Sequence, residues 1–305
     1  MAGRTTVEVE GRELVLSNLD KVLFPASGSW GNGFTKGQVI DYYRRIAPVL
    51  LPHLAGRPPT LVRAPDGVGG ERFFEKRCPP HHPDWVRTET VVGGGGHQGC
   101  MIEELPALIW LANLAALELH THQWTVADPT HPTAVVIDLD PGPKASVLDC
   151  ARVALELRDI VEQLGLELLA KTSGGKGMHL SIPLNTGIAN DDETKRFALA
   201  LGRLLESRDP KRVTVDMAKD KRPGRVFVDW SQNDSAKTTV SVYSMRIQER
   251  PRVSAPVTWN EVDDALAAGD PDALTFEAPD ALERMEADGD LYEGNLTVHQ
   301  ELPAL

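Results

Sequence analysis

The sequence predicts an α+β fold, and three observations carry that prediction. Apolar stretches with the two-residue period of strands mix with stretches of helical period, without the strict strand–helix–strand order of a doubly wound sheet. Hydrophobic residues make up 41% of 305, enough for a sizeable core and too many for a disordered chain. Turn and cap residues punctuate the pattern at short intervals.

Taken in order, VEVEGRELVLSN (residues 7–18) alternates around Gly11 and predicts a hairpin. Thr35 can cap a helix running to about residue 51, with Val39, Ile40, Tyr43, Ile46 and Ala47 at helical spacing; Pro52, Pro58 and Pro59 should end it. Residues 64–70 and 92–99 are glycine-rich turns or loops. The run EELPALIWLANLAALE, Glu103 to Glu118, is too apolar for a surface helix and should be buried on most sides. AVVIDL (134–139) predicts a buried strand, 145–164 an amphipathic helix, 166–170 a strand, SGGKG (173–177) a turn and 178–183 another strand. Asn190 or Asp191 caps a helix over 191–207, and strands are predicted at 213–215, 225–230 and 239–245. After Arg252 the composition shifts to Pro, Ala and acids, with two short helices closed by glycine, WNEVDDALAAG and PDALERMEADG.

Charge is unevenly placed. The chain holds 32 Lys+Arg against 44 Asp+Glu, net −12, which taken globally argues against a nucleic-acid partner. Residues 253–305 hold thirteen acids and one base, Arg284, so the rest of the chain is neutral. Within it, residues 203–252 carry twelve bases and seven acids, densest in KRVTVDMAKDKRPGR (211–225). Such a stretch is either a solvated face or a phosphate site. No apolar run approaches a membrane span, the amino terminus lacks an apolar signal core, and three cysteines in so long a chain do not suggest a disulfide framework. A reducing cytoplasm is the expected location.

Asp138-Leu139-Asp140 closes an apolar strand, where residues i and i+2 project to the same side. Two adjacent carboxylates repel unless a cation lies between them, and their oxygens suit Mg²⁺ or Mn²⁺ better than zinc. Asp229 ends another apolar strand, RVFVDW. Three acids on neighbouring strands would suffice for two-metal phosphoryl transfer; a plain strand terminus and turn is the alternative. In SGGKG, three glycines permit close backbone approach, while Ser173, Lys176 and the nearby His179 offer donors to phosphate oxygens. The spacing is not that of a P-loop. Gln232, Lys237 and Arg246 supply a second set of donors downstream. Acids for metal beside donors for a polyphosphate describe a nucleotidyltransferase.

DLDPGP, SGGKGMHL, VFVDWSQND and KTTVSVYSMR resemble the polymerase domain of bacterial ATP-dependent DNA ligase D, in the archaeo-eukaryotic primase superfamily. LSNLDKVLFP, RFFEKRCP and ALELHTHQW are similar to the same family's amino-terminal motifs, in the same order, so the likeness runs from about residue 12 to about residue 250. The resemblance implies a primase-polymerase fold over 1–252, with DNA contacts in 1–130 and a catalytic core in 131–252, followed by the acidic segment 253–305. It implies Asp138, Asp140 and Asp229 as ligands of two Mn²⁺ or Mg²⁺ ions. Ser173, Lys176, His179, Lys237 and Arg246 would hold the triphosphate of an incoming NTP or dNTP, with Gln232 beside them and His120 near the sugar. Asn18, Lys21 and Lys36 would grip the 5′-phosphate of a gap or double-strand break, a sequence-blind anchor. Phe73 and Phe74, with Arg63, would stack on the template; without the family, a core position is the plainer reading of those rings. Lys219, Lys221, Arg222 and Arg225 would lie on a mobile loop touching primer or template phosphates. The implied function is nucleotide addition in bacterial non-homologous end joining, with Ku and a DNA ligase as partners and a nucleoid-associated location. The chain carries no lysine-x-Asp-Gly ligase signature, so it is expected to be the polymerase part alone.

Two rivals remain: a metal-dependent nuclease, and a non-catalytic module that binds and bridges DNA ends. Cys78-x-x-His81-His82 and His97-x-x-Cys100 also have zinc-like spacing. The adjacent histidines and the Pro/Gly-rich surroundings favour buried thiols and surface histidines over a structural Zn²⁺.

Overall fold

The computed structural model describes residues 3–28, 30–92 and 96–303. The chain forms two compact units, each gathered from separated stretches: residues 1–122, 240–253 and 277–289 make the first, and 123–239, 254–276 and 290–305 the second.

In the first unit, β1 (Arg4–Val9) and β2 (Arg12–Ser17) pair antiparallel, with Val9 opposite Arg12. Glu10 and Gly11 between them both take positive φ, 47° and 77°, as a two-residue type I′ turn requires. β3 (Val22–Phe24) pairs with β4 (Phe34–Thr35). Thr35 then opens α1 (Lys36–Leu54) through a capping box: its Oγ1 accepts from the Gln38 amide, and its own amide donates to Gln38 Oε1. α1 continues past the predicted end and through both Pro48 and Pro52. Val49, Leu50, His53 and Leu54 are buried there, and that burial outweighs the roughly 3 kcal/mol a helical proline costs.

β5 (Thr60–Arg63) pairs with β6 (Phe73–Glu75), and β7 (Thr88–Val91) with β8 (His97–Cys100). Of the glycine-rich stretch 92–99, residues 93–95 lie outside the described residues. The Cys78 amide donates to the Gln98 carbonyl (2.8 Å), which lays Cys78 alongside β8. Cys78 and Cys100 are joined by a disulfide, their Cα atoms 4.8 Å apart. This corrects the expectation of buried thiols, and it removes both thiolates that a zinc site with His81, His82 or His97 would need. Cys150 is the free cysteine, and it is buried.

The single buried helix expected over 103–118 divides. α2 (Leu105–Asn113) ends before Ala115, whose φ is +57°, and the remaining ALELHT forms β9 (Ala116–Thr121), antiparallel to β5. Helical periodicity cannot distinguish two fully buried elements joined by a tight hinge.

The second unit is built on a six-stranded sheet. β10 (Ala134–Pro141) is followed by α3 (Val147–Gln163), β11 (Leu169–Thr172), β12 (Met178–Pro183), α4 (Asp191–Arg208), β13 (Val213–Thr214) and β14 (Val226–Asp229). β15 (Thr239–Val240) is what remains of the strand predicted over 239–245, and Tyr243 beyond it has φ +63°. β16 (Pro256–Val257) completes the sheet, whose order is β13-β14-β10-β12-β11-β16. Among the described residues only β13 and β14 run parallel in it and the other pairings are antiparallel, so the α+β expectation holds.

Val135, Ile137 and Leu139 of β10 share a core with Met178, Leu180 and Ile182 of β12, Val226 and Val228 of β14, and apolar residues of α3 and α4 such as Leu157 and Phe197. The alternate residues of these strands therefore face the other way. α5 (Trp259–Ala268) ends on Gly269 in the left-handed conformation (φ 67°), and its Val262 and Ala265 enter the same core, as do Val257 and Leu274. α6 (Ala278–Asp288) belongs to the first unit and α7 (Gly294–Thr297) to the second. The acidic segment 253–305 is thus divided between the units.

Candidate active site

On the face of the large sheet away from α3 and α4, strand register places four polar side chains in one row. Lys171 on β11 lies opposite His179 on β12, His179 opposite Asp138 on β10, and Asp138 opposite Asp229 on β14. Directly opposed residues hold their Cβ atoms about 4.5–5.5 Å apart. Asp140, two residues along β10, points to the same face. Sequence pattern pointed to the three acids; that Asp138 and Asp229 stand side by side is a product of register. His179 Nε2 lies 3.4 Å from Asp138 Oδ1.

Asp229 is turned toward its own turn. Its Oδ1 accepts from the Ser231 amide (2.9 Å) and hydroxyl (2.6 Å), and its Oδ2 from Gln232 Nε2 (3.0 Å). Lys237 Nζ donates to Ser231 Oγ, so two residues expected at the nucleotide, Gln232 and Lys237, gather around Asp229. Across the sheet, the 173–177 turn is closed by Ser173: its amide donates to the Gly177 carbonyl, and its Oγ accepts from the Gly175 and Gly177 amides (both 3.1 Å). Gly174 takes φ 65°, and a Cβ at Gly177 would collide with the Leu139 carbonyl, so this turn packs against the end of β10 only because it lacks side chains. Lys176 at its tip is exposed. The basic stretch is anchored to the exit of β10 as well. The Gly142 amide donates to the Arg225 carbonyl and the Gly224 amide to Pro143, while the Arg222 guanidinium stacks over Phe227, 3.7 Å from the ring centre. Lys219 and Lys221 are exposed on a short 3₁₀ turn of this stretch, and Arg225 is half-buried.

The first unit gathers the other candidates into two groups. Glu118, buried on β9, joins His120 and Arg246: its Oε2 lies 2.8 Å from His120 Nε2, and its Oε1 accepts from Arg246 Nε (3.1 Å) and the Ile247 amide (2.8 Å). Burial pushes the Glu118 carboxyl up, but the His120 hydrogen bond, the Arg246 charge and the Ile247 amide prevail and hold it down at about 2. At the start of α1, the turn Asn18–Lys21 lies across the helix terminus through Lys36 amide to Lys21 carbonyl and Gly37 amide to Leu19 carbonyl, both 2.8 Å. Asn18 takes φ 55° there. Lys36 Nζ donates to the Ser17 carbonyl (2.7 Å), and Lys21 Nζ to Asp66 (2.7 Å). Burial, then the charges of Lys21 and Arg63, lower Lys36 to about 8. Phe73 and Phe74 are 40% and 72% exposed, which removes the core reading of these rings. On β5, Arg63 lies opposite Phe73 of β6 and is held by the Leu114 carbonyl and Glu75.

Residues 35–292 match the model of the LigD primase-polymerase domain. The chain belongs to the LigD primase-polymerase domain family. It is 39% identical over 279 residues to the multifunctional non-homologous end joining protein LigD of Mycolicibacterium smegmatis, covering 90% of this chain and 35% of that protein. Against the LigD of Mycobacterium tuberculosis the figures are 40% over 291 residues, 92% and 37%; against the bifunctional LigD of Bacillus subtilis, 32% over 254 residues, 83% and 40%. The chain therefore spans between a third and two-fifths of the length of these relatives. The polymerase domain of M. tuberculosis ligase D, solved in complex with DNA, superposes with a TM-score of 0.83 at 39% identity, covering 92% of this chain and 96% of that one.

As a LigD primase-polymerase domain, the chain offers an all-oxygen donor set in Asp138, Asp140 and Asp229, which fits a hard divalent cation. Among the described residues no three His, Cys, Asp or Glu side chains stand at ligand distance from one point as they are oriented. Asp229 Oδ2 accepts a single bond and retains capacity for another. Sequence reasoning overlooked Glu118, although E-x-H within LELH puts it on the same side of a strand as His120. Glu118→Gln should cost about 1.5–3 kcal/mol of stability at neutral pH, read by denaturant unfolding. A carboxyl lowered from 4.5 to about 2 stabilises the fold above the upper value, and that contribution is lost as pH falls through the lower one. The difference between parent and variant should therefore vanish across that acid window.

Proposed function

We propose that this chain is a template-dependent nucleotidyltransferase that extends or fills primer ends at DNA gaps and double-strand breaks in non-homologous end joining. The observation that carries this reading is the row of acids on one sheet face beside the SGGKG turn, in a chain of this family. Asp138, Asp140 and Asp229 would hold Mg²⁺ or Mn²⁺, which when bound would activate the attacking hydroxyl and neutralise charge on the leaving group. Ser231 and Gln232 orient Asp229 through its two oxygens. Ser173, Lys176, His179, Lys237 and Arg246 are assigned to the triphosphate, with Gln232 beside them and His120 near the sugar, on the resemblance. Phe73 and Phe74 are assigned to template stacking and Arg63 to their support. Lys219, Lys221, Arg222 and Arg225 are assigned to strand phosphates. A nucleoid-associated place in the cytoplasm, with Ku and a ligase as partners, follows from such a substrate; no helix among the described residues is long and apolar enough to cross a membrane.

A primed, gapped, 5′-phosphorylated duplex incubated with labelled NTPs or dNTPs and Mn²⁺ tests the reading. A lengthened primer supports it; a shortened one indicates a nuclease, and unchanged length with a mobility shift a binding module.

Asn18, Lys21 and Lys36 are assigned to the 5′-phosphate, which would have to draw Lys21 away from Asp66. The phosphate preference should weaken as pH rises through about 8, where Lys36 loses its charge. The sign for stability is opposite: the unfolded chain binds the Lys36 proton more tightly than the folded one, so charging it destabilises the fold below that pH. Lys36→Met should then raise Tm at neutral pH while removing most of the preference for phosphorylated over hydroxyl ends. Equal preference in parent and variant would count against the assignment.

A further inference from the structure

The row across the large sheet runs from Asp229 through Asp138 and His179 to Lys171, and Lys171 is buried, 4% exposed. Its Nζ lies 2.7 Å from Ser254 Oγ and 2.9 Å from His179 Nδ1. Ser254 Oγ donates its only hydrogen to the Thr172 carbonyl (2.8 Å), so toward Lys171 it acts as an acceptor. Lys171 therefore donates to Ser254, and as the ammonium that lysine carries at neutral pH it has no lone pair with which to accept from a ring nitrogen. His179 Nδ1 must be the acceptor, and the ring proton is left on Nε2, the nitrogen 3.4 Å from Asp138 Oδ1.

We propose that Lys171, braced by Ser254, is a positioning residue that fixes His179 in the Nε2–H tautomer, so that this ring always presents a donor toward Asp138 and the nucleotide phosphates. Without a partner at Nδ1, the ring could carry its proton there and turn a lone pair toward an anionic group, which would repel it. The inference deepens the proposed nucleotidyltransferase reading and rests on it for the phosphate contact, but the tautomer belongs to the protein alone. It also gives the segment after Arg252 a part in the site. The Thr172 amide donates to the Ala255 carbonyl (2.8 Å), the Ala255 amide donates to Thr172 Oγ1 (3.3 Å), and Lys171 lies opposite Pro256.

The test begins with ¹⁵N-labelled imidazole shifts of His179 in the metal-free and nucleotide-free protein, assigned with His179→Gln. An unprotonated Nδ1 and a protonated Nε2 are expected; the reverse pattern overturns the proposal whatever the chain's activity. Lys171→Met should let the two tautomers mix, and Lys171→Gln, whose amide can still donate to Nδ1, should preserve the parent pattern. In primer extension with Mn²⁺, Lys171→Met should raise KM for ATP by about tenfold or more, the factor expected for a lost hydrogen bond to a charged group, with a smaller change in kcat. An unchanged His179 pattern in folded Lys171→Met overturns the assignment. If that variant does not fold, the parent tautomer together with Lys171→Gln decides it. No extension by the parent protein alongside the expected tautomer would fail the polymerase reading and leave the positioning role standing.

Discussion

Asp138→Ala should abolish nucleotide addition while leaving the chain folded and able to bind gapped duplex. Asp138 is the shared member of the row: Asp229 lies opposite it on one neighbouring strand, His179 on the other, and Asp140 lies two residues along its own. Removing it takes away one of the three carboxylates that would hold divalent cations there. The charge stabilisation such ions supply is worth several kcal/mol, which corresponds to a loss of roughly a thousandfold or more in rate. Stability should move little. The contact with His179 is lost, but so is the repulsion between two carboxylates set directly opposite each other. A Tm close to the parent's, unchanged affinity for 5′-phosphorylated ends and no primer extension form the expected set. Extension retained in excess Mn²⁺ would remove Asp138 from the mechanism.

Truncation after Arg252 should have the largest effect on folding. Composition alone invites the view that residues 253–305 are an acidic appendage whose removal would only raise affinity for DNA. The sheet argues otherwise. β16 pairs with β11, and Val257, Val262, Ala265 and Leu274 sit in the core of the second unit at 7% exposure or less. Each large buried aliphatic is worth about 1.5–3 kcal/mol, and a domain of this kind has a margin of only about 5–15 kcal/mol. The second unit should therefore lose its cooperative unfolding transition, seen as a collapse of near-ultraviolet circular dichroism and of the thermal unfolding peak. A truncated chain that melts like the parent would show the segment to be dispensable after all.

Much of the local structure was legible in the chain. The type I′ turn at Glu10-Gly11, the Thr35 and Asn190 capping boxes, the strand Met178–Pro183 and the glycine stop at Gly269 all follow from residues within four positions of one another. Where prediction failed, distant burial had overruled a local signal. α1 passes through two prolines because its apolar face has a core to enter, and EELPALIWLANLAALE breaks into a helix and a strand because β5 offers ALELHT hydrogen-bond partners. The Cys78–Cys100 bridge depends on the Cys78 amide meeting the Gln98 carbonyl, a meeting that cysteine spacing does not encode.

The sequence by itself determined the family, through seven motifs in order, and the types of residue available for chemistry: oxygens for a hard cation, lysines and glycines for phosphate. Tertiary structure decided which of them meet. Asp138 and Asp229 are 91 positions apart and Lys171 and Ser254 83; the pairing of β10 with β14 sets the first two opposite each other, and the pairing of β11 with β16 brings the chain carrying Ser254 to Lys171. Glu118 shows the same limit from the other side. Its alternation with His120 could be read along one strand, but its ion pair with Arg246, 128 residues away, could not. Side-chain direction is local, set by the backbone period; register between strands is a collective choice made by the whole core.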